Sequence, residues 1–113
     1  MPRIYARRVT EYDSAALRDA VETALSRFDL SGIHGARVLL KPNLLMRKKP
    51  EDGVTTHPAV VRAVAAALQE RGALLFLGDS PGGRNTKKSF QALLRATGLG
   101  SVCEVFGIEP VLL

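Results

Sequence analysis

Val38-Leu39-Leu40-Lys41-Pro42-Asn43 contains the clearest strand signal in this sequence. Its three apolar residues do not alternate with polar ones, which is typical of a strand covered on both faces in a parallel sheet. The strand is expected to end at Lys41, because proline has no amide hydrogen to donate and asparagine favours turns. A second run, Leu74-Leu75-Phe76-Leu77 followed by Gly78, repeats the pattern. The two runs predict neighbouring strands of a parallel sheet.

The residues around these strands predict three helices. From Pro58 to Gly72 apolar residues recur at the helical period, and proline suits a first helical turn. A helix capped by Asp13 or Ser14 is predicted before the first run, and another is predicted from about Lys87 to Gly98. The apolar stripe of the first helix comprises Ala16, Leu17, Ala20, Val21, Ala24, Leu25 and Phe28.

Shorter elements are predicted near both ends of the chain. Ile4 to Val9 is predicted to be an edge strand, Val102 to Phe106 a short helical turn, and Glu109 to Leu113 a last strand. The resulting β-α-β-α-β-α-β order predicts an α/β fold that is Rossmann-like, with a largely parallel sheet, right-handed crossovers and helices on both faces. We expect residues 1–113 to form a single domain that is incomplete, because the sequence ends on a strand.

The composition narrows the class of protein. The 113 residues are 46% hydrophobic and 24% charged, which is ordinary for a soluble globular protein and excludes collagen and disordered chains. One cysteine, Cys103, excludes an internal disulfide and favours a reducing compartment such as the cytoplasm. A 4Fe-4S cluster needs about four thiolates, so we expect no such cofactor in this chain itself. We expect no metal site either, since His57 has no second ligand at a suitable spacing.

The net charge of +5 predicts anionic partners. The basic residues are scattered and aromatic residues make up only 5% of the chain, so nucleic-acid binding is not favoured. No apolar run approaches the ~20 residues of a membrane span, so no membrane partner is predicted.

Ligands of open parallel sheets bind beyond the carboxyl ends of the strands, where two loops of this chain meet. The residues predicted to bind a ligand there are Lys41, Asn43, Thr55, Thr56, His57, Gly78, Asp79, Ser80, Gly82 and Gly83. No metal ligands are predicted among them, and neither a dinucleotide fingerprint nor a P-loop is present.

Different roles are predicted for these side chains. Lys41 would anchor an anion, and Asn43 with the Thr55-Thr56 pair would position it, helped by the first amides of the following helix. Asp79 and Ser80 are the candidate catalytic residues, as a proton-handling or metal-facing pair. Plainer interpretations stay open, because a threonine at this place also suits a helix cap and Asp79-Ser80 also suits a tight turn.

Three blocks of the sequence resemble a known family. They are residues 38–45 (VLLKPNLL), 54–64 (VTTHPAVVRAV) and 78–83 (GDSPGG), and they occur in the family's order and spacing. The chain, from about Tyr5 to Leu113, resembles the N-terminal portion of a bacterial and archaeal domain-of-unknown-function family that is often joined to ferredoxin-like 4Fe-4S modules. The resemblance implies an α/β protein that is associated with redox modules. The 4Fe-4S clusters would lie in those separate modules.

Two functions remain open on these grounds. The chain is either a module of a redox or iron–sulfur-associated enzyme that binds an anionic small molecule, or a non-catalytic module that docks an acidic or ferredoxin-like partner through its basic face. That face would comprise Arg47-Lys48-Lys49 together with Arg84, Lys87 and Lys88. The apolar ending Val111-Leu112-Leu113 further predicts self-association.

Overall fold

Helices and parallel strands alternate along the computed structural model, which describes residues 2–12, 15–81 and 86–113. The helices are α1 (Ala15–Ser26), α2 (Pro58–Glu70), α3 (Lys87–Thr97) and α4 (Leu99–Phe106). The strands are β1 (Arg37–Leu40), β2 (Leu74–Asp79) and β3 (Glu109–Leu112), and a 3-10 turn spans Pro50–Asp52. The predicted caps of α1, Asp13 and Ser14, lie outside the described residues, as do Gly82 and Gly83.

The strands of the described residues form one three-stranded sheet in the order β1-β2-β3. Both pairs are parallel, with Leu39 beside Phe76 and Phe76 beside Glu109. The carboxyl ends of β1 and β2 therefore lie at the same edge of the sheet. These observations confirm the predicted α/β class and the parallel sheet flanked by helices.

The predicted edge strand from Ile4 to Val9 is wrong, because the described residues 2–11 contain no strand. A strand persists only where a neighbour takes its backbone hydrogen bonds, and here side chains hold the segment instead. Val9 packs against the cluster between α1 and α2, and Arg7 Nη1 donates to Asp19 Oδ2 over 2.7 Å. Phe28 was also placed wrongly, since α1 ends at Ser26 and Phe28 is 61% exposed.

Local capping sets the limits of the last two helices. The Thr86 side chain accepts a hydrogen bond from the Ser89 amide, so α3 begins at Lys87. Gly98 has a φ of 79° and ends α3 in the left-handed conformation that glycine tolerates. The chain then re-enters a helix at once, so the predicted short turn near Val102 is the eight-residue helix α4.

The core lies between one face of the sheet and the helices. Leu75 and Leu77 of β2 are 7% and 0% exposed and pack with Val61 and Leu68 of α2. Val38 and Leu40, which share that face of β1, are half-buried against the same cluster. The core thus takes alternate residues of each strand.

The other face of the sheet differs from our expectation of helices on both sides. Leu39 and Leu74 point to it and are 44% and 55% exposed. When three parallel strands follow one another in sequence order, right-handed crossovers place every connecting helix on the same side. Within the described residues, α2, α3 and α4 pack accordingly on the face of Leu75 and Leu77.

Gly78 lets β2 and β3 approach closely at the carboxyl edge of the sheet. A Cβ atom built at Gly78 would come closer than 3.0 Å to the backbone oxygen of Val111, a separation that real Cβ atoms essentially never show. It would also lie 3.3 Å from Leu113 Cγ. Glycine is therefore required here by space rather than by its φ angle.

Candidate functional site

An ion pair joins the carboxyl ends of β1 and β2. Lys41 follows the last residue of β1, Asp79 is the last residue of β2, and Lys41 Nζ lies 2.8 Å from Asp79 Oδ1. The Lys41 side chain is 60% exposed, whereas that of Asp79 is 8% exposed. Parallel pairing thus brings two of the predicted site residues into direct contact. The Lys41 ammonium lies at the surface, and the Asp79 carboxylate is buried below it.

The second oxygen of Asp79 fixes the loop that follows β1. Asp79 Oδ2 accepts a hydrogen bond from the Leu44 amide over 3.0 Å, and Leu44 is completely buried. Burial raises the pKa of Asp79, but bonds from Lys41 and from the Leu44 and Ser80 amides more than offset it, and the net pKa lies below its usual value. Asp79 is therefore an ionised acceptor at neutral pH.

Asn43 and Thr56 close the base of the loop between β1 and α2. The Asn43 amide donates to Thr56 Oγ1 over 2.8 Å, and the Thr56 amide donates to the Asn43 carbonyl over 2.9 Å. The backbone of Asn43 and the hydroxyl of Thr56 therefore have structural roles. The Asn43 residue remains exposed at the edge of the sheet.

His57 caps the amino end of α2. Its Nδ1 accepts a hydrogen bond from the Ala59 amide over 3.0 Å, and its ring stacks on Tyr12 with centroids 3.6 Å apart. The Val60 and Val61 amides donate to the His57 carbonyl. These first-turn amides, which were expected to help hold an anion, are thus engaged at the end of their own helix.

We expect His57→Ala to lower the free energy of unfolding by about 1 kcal/mol, because the helix loses its cap. Urea denaturation followed by circular dichroism measures this loss. The exposed His34 gives the matched control, His34→Ala, which should change little. Equal stability of the two variants would contradict the capping role.

Thr55 is the predicted site residue with an unsatisfied polar atom. It is 8% exposed, and within the described residues its Oγ1 has no hydrogen-bond partner. A buried hydroxyl without a partner is unfavourable by roughly 1–3 kcal/mol. The residue lies two positions before the cap of α2, beside the closed base of the loop.

Ser80 is exposed and its Oγ donates to the Leu113 carbonyl over 2.8 Å. Residues 78–82 also read Gly-x-Ser-x-Gly, the spacing of the nucleophile elbow of hydrolases. In that elbow the serine has a strained backbone conformation. Among the described non-glycine residues a positive φ is found at Leu45, at 27°, and not at Ser80. Ser80 therefore lacks the backbone conformation of an elbow nucleophile.

Two residues of this region were not predicted from the sequence. The Leu44 amide binds Asp79, and the Tyr12 ring stacks on His57. Leu44 could have been found from the block that carries the family resemblance. Tyr12 gave no signal, since no sequence pattern relates it to a residue 45 positions away.

In residues 2–12, 15–81 and 86–113, no group of three or more His, Cys, Asp or Glu side chains could hold a metal ion. No helix in these ranges is long and apolar enough to cross a membrane. Cys103 is buried, and burial with the nearby Glu104 charge raises the pKa of its thiol.

The chain is similar to known proteins over its sheet and site. A family described as "Domain of unknown function (DUF362)" matches residues 38–113, so the match begins at β1 rather than near Tyr5. The thylakoid-associated protein sll1697 of Synechocystis is 42% identical over 77 residues, which are 66% of this chain and 24% of that protein. The chain thus spans about a quarter of that relative's length. No solved structure matches this chain. Because the family match covers residues 38–113, which is well over half of the chain, this chain belongs to the DUF362 family.

Proposed function

We propose that the carboxyl edge of β1 and β2 binds a small anion that carries a carboxylate or phosphate group. The observation that carries this proposal is the exposed Lys41 ammonium, held 2.8 Å from a carboxylate that is itself buried. An ammonium has three N–H donors, and the bond to Asp79 uses one of them. Asp79 acts as a positioning residue, because it fixes a flexible lysine before a ligand arrives.

The local charge favours an anion despite the ion pair. The loop from Lys41 to His57 contains four basic residues and two acidic ones. Asp79 offsets one more positive charge, which leaves the loop and its partner with a small positive excess. A charge-assisted hydrogen bond at such a place is about twice as strong as a neutral one.

The remaining side chains have supporting roles in this proposal. The side-chain amide of the exposed Asn43 would orient the ligand, and the exposed Ser80 hydroxyl would do so by exchanging its bond to the Leu113 carbonyl for one to the ligand. If the module catalyses a reaction, Asp79 would contribute by holding Lys41 in place, because its lowered pKa makes it a weak proton acceptor. Any 4Fe-4S cluster of the larger enzyme would lie in a separate module, and the single buried thiol suits the reducing cytoplasm.

We expect Lys41→Ala to weaken anion binding about tenfold, or about 1.4 kcal/mol, because a charge-assisted bond is lost. Titration calorimetry with inorganic phosphate and with citrate measures the affinity. Arg95→Ala, which removes an equal charge from an exposed position on α3 outside this loop, is the control and should bind almost normally. Unchanged affinity in Lys41→Ala would contradict the proposed site.

A second function is favoured by a separate surface, the basic loop, which comprises residues 45–49. Its exposed Leu45 and Met46 are 45% and 47% accessible and stand next to the exposed Arg47-Lys48-Lys49 run. Apolar side chains beside cations are suited to docking an acidic, ferredoxin-like protein. The thylakoid-associated name of the relative fits such an attachment role. The two functions separate by variant, since docking would depend on Lys48 and tolerate Lys41→Ala.

A further inference from the structure

The sheet has an apolar face that the helices of the described residues leave uncovered, here called the open face. Leu39, Leu74 and Leu113 are 44%, 55% and 48% exposed, and Phe76 and Val111 are half-buried beside them. Gly78 follows Leu77 along β2, so a Cβ at Gly78 would point away from the core and toward the open face. Such a Cβ would lie 3.3 Å from Leu113 Cγ, so the Leu113 side chain belongs to this face too. Together these side chains span all three strands.

Parallel sheets are almost always covered on both faces. The described helices pack on the opposite face, and in the segment before α1, Arg7 bonds to α1 while Val9 packs between α1 and α2. A contiguous apolar surface that spans three strands marks an interaction site more often than an ordinary surface does. We propose that a second copy of this chain covers the open face, so that two sheets pack face to face.

Charge complementarity favours a second copy as the occupant. Arg37 begins β1 and Glu109 begins β3, and alternation along each strand places both on the open face. The outer strands thus carry opposite charges at the same end of the sheet. A two-fold axis parallel to β2 would lay β1 of one copy over β3 of the other.

The strand register makes this arrangement quantitative. Arg37 pairs with Leu74 and Glu109 pairs with Phe76, so the two charges are two residues apart along β2. At about 3.3 Å per residue this offset is about 7 Å, which the long arginine and glutamate side chains can span. The two-fold axis would form this contact twice, once at each edge of the interface.

The size of the open face sets the expected affinity of the dimer. Strands about 4.8 Å apart give a narrow patch, smaller than the about 800 Å² per partner of a standard stable interface. We therefore expect a reversible dimer whose dissociation constant is on the order of 10 µM, rather than a permanent one.

Sedimentation equilibrium of the full chain, from low micromolar to near-millimolar concentration, tests the proposal. We expect a monomer–dimer equilibrium that Leu74→Ser weakens at least tenfold. Leu74 is 55% exposed, so this variant should remain folded, as circular dichroism will verify. A monomer at every concentration, or an assembly larger than a dimer, would overturn the proposal.

A charge exchange tests the geometry independently of apolar burial. Arg37→Glu alone and Glu109→Arg alone should each weaken the dimer, because each places like charges in apposition. The double variant should restore it, whereas Arg95→Glu, at an exposed position on α3, should have no effect. Failure of the double variant to recover would overturn the two-fold arrangement along β2.

Discussion

Gly78→Ala is expected to destabilise the protein by about 3 kcal/mol, the upper part of the range for overpacked positions. The added methyl group would meet the backbone oxygen of Val111 on the neighbouring strand. A side chain could rotate away from such a contact, but a strand backbone that pairs with β2 cannot move without losing its register. Relief would require β3 to separate from β2, where Gly78 and Val111 are paired.

Urea denaturation of Gly78→Ala beside Gly32→Ala measures the effect. Gly32 is the matched control, since among the described atoms nothing lies within 4 Å of a Cβ built there. Gly32→Ala should leave stability unchanged or raise it by about 0.4–1 kcal/mol through the unfolded state. If both variants unfold at the same urea concentration, the close strand approach does not constrain position 78.

Asp79→Ala is expected to lower the free energy of unfolding by about 3 kcal/mol. The buried Leu44 amide would lose its acceptor, and a hydrogen bond to a charged group would be lost with it. Loss of the Lys41 partner adds little, because the lysine side chain is 60% exposed and water can solvate it. Lys41→Ala alone should accordingly be far less destabilising than Asp79→Ala. A similar loss of unfolding free energy in the two variants would show that the Leu44 bond is not the main contribution.

The ionised Asp79 should also make the free energy of unfolding depend on pH. The pKa of Asp79 is lower in the folded chain than its ordinary value. Its stabilising contribution is therefore fully present above the unfolded pKa and is lost as the pH falls through about 4 and below. Glu22 and Asp29 also have lowered pKa values, so the wild type is compared with Asp79→Asn. The variant should show a shallower acid decline, and identical profiles would argue against the ion pair.

Local patterns predicted most of the sheet and helices. The apolar runs from Val38 and Leu74 and the helix from Pro58 were confirmed, because short buried strands and amphipathic helices have signals within their own residues. Ile4 to Val9 failed because a strand also needs a neighbour, and pairing between distant segments leaves no local mark. The open face was missed for the same reason, since apolar runs do not report which side is covered.

The candidate site divides in a similar way. Sheet topology was enough to predict that Lys41 and Asp79 would lie together at one edge. It did not reveal that they bind each other, or that the first amides of α2 are already engaged by His57. Such pairings depend on side-chain rotamers and loop paths. The binding role of Lys41 stays a prediction, and Gly82 and Gly83 lie outside the described residues.

The closed base of the loop after β1 has a consequence for its length. Asn43 and Thr56 fasten the two ends of the excursion together, so the chain between them does not determine where Lys41 stands. Loop-closure entropy rises slowly, by about 0.6 kcal/mol for each doubling of length. Residues 46–53, beyond the buried Leu44 and Thr55, form a tip whose length can change by insertion or deletion at little cost. An epitope or fluorophore grafted there would therefore report on this edge of the sheet without moving it.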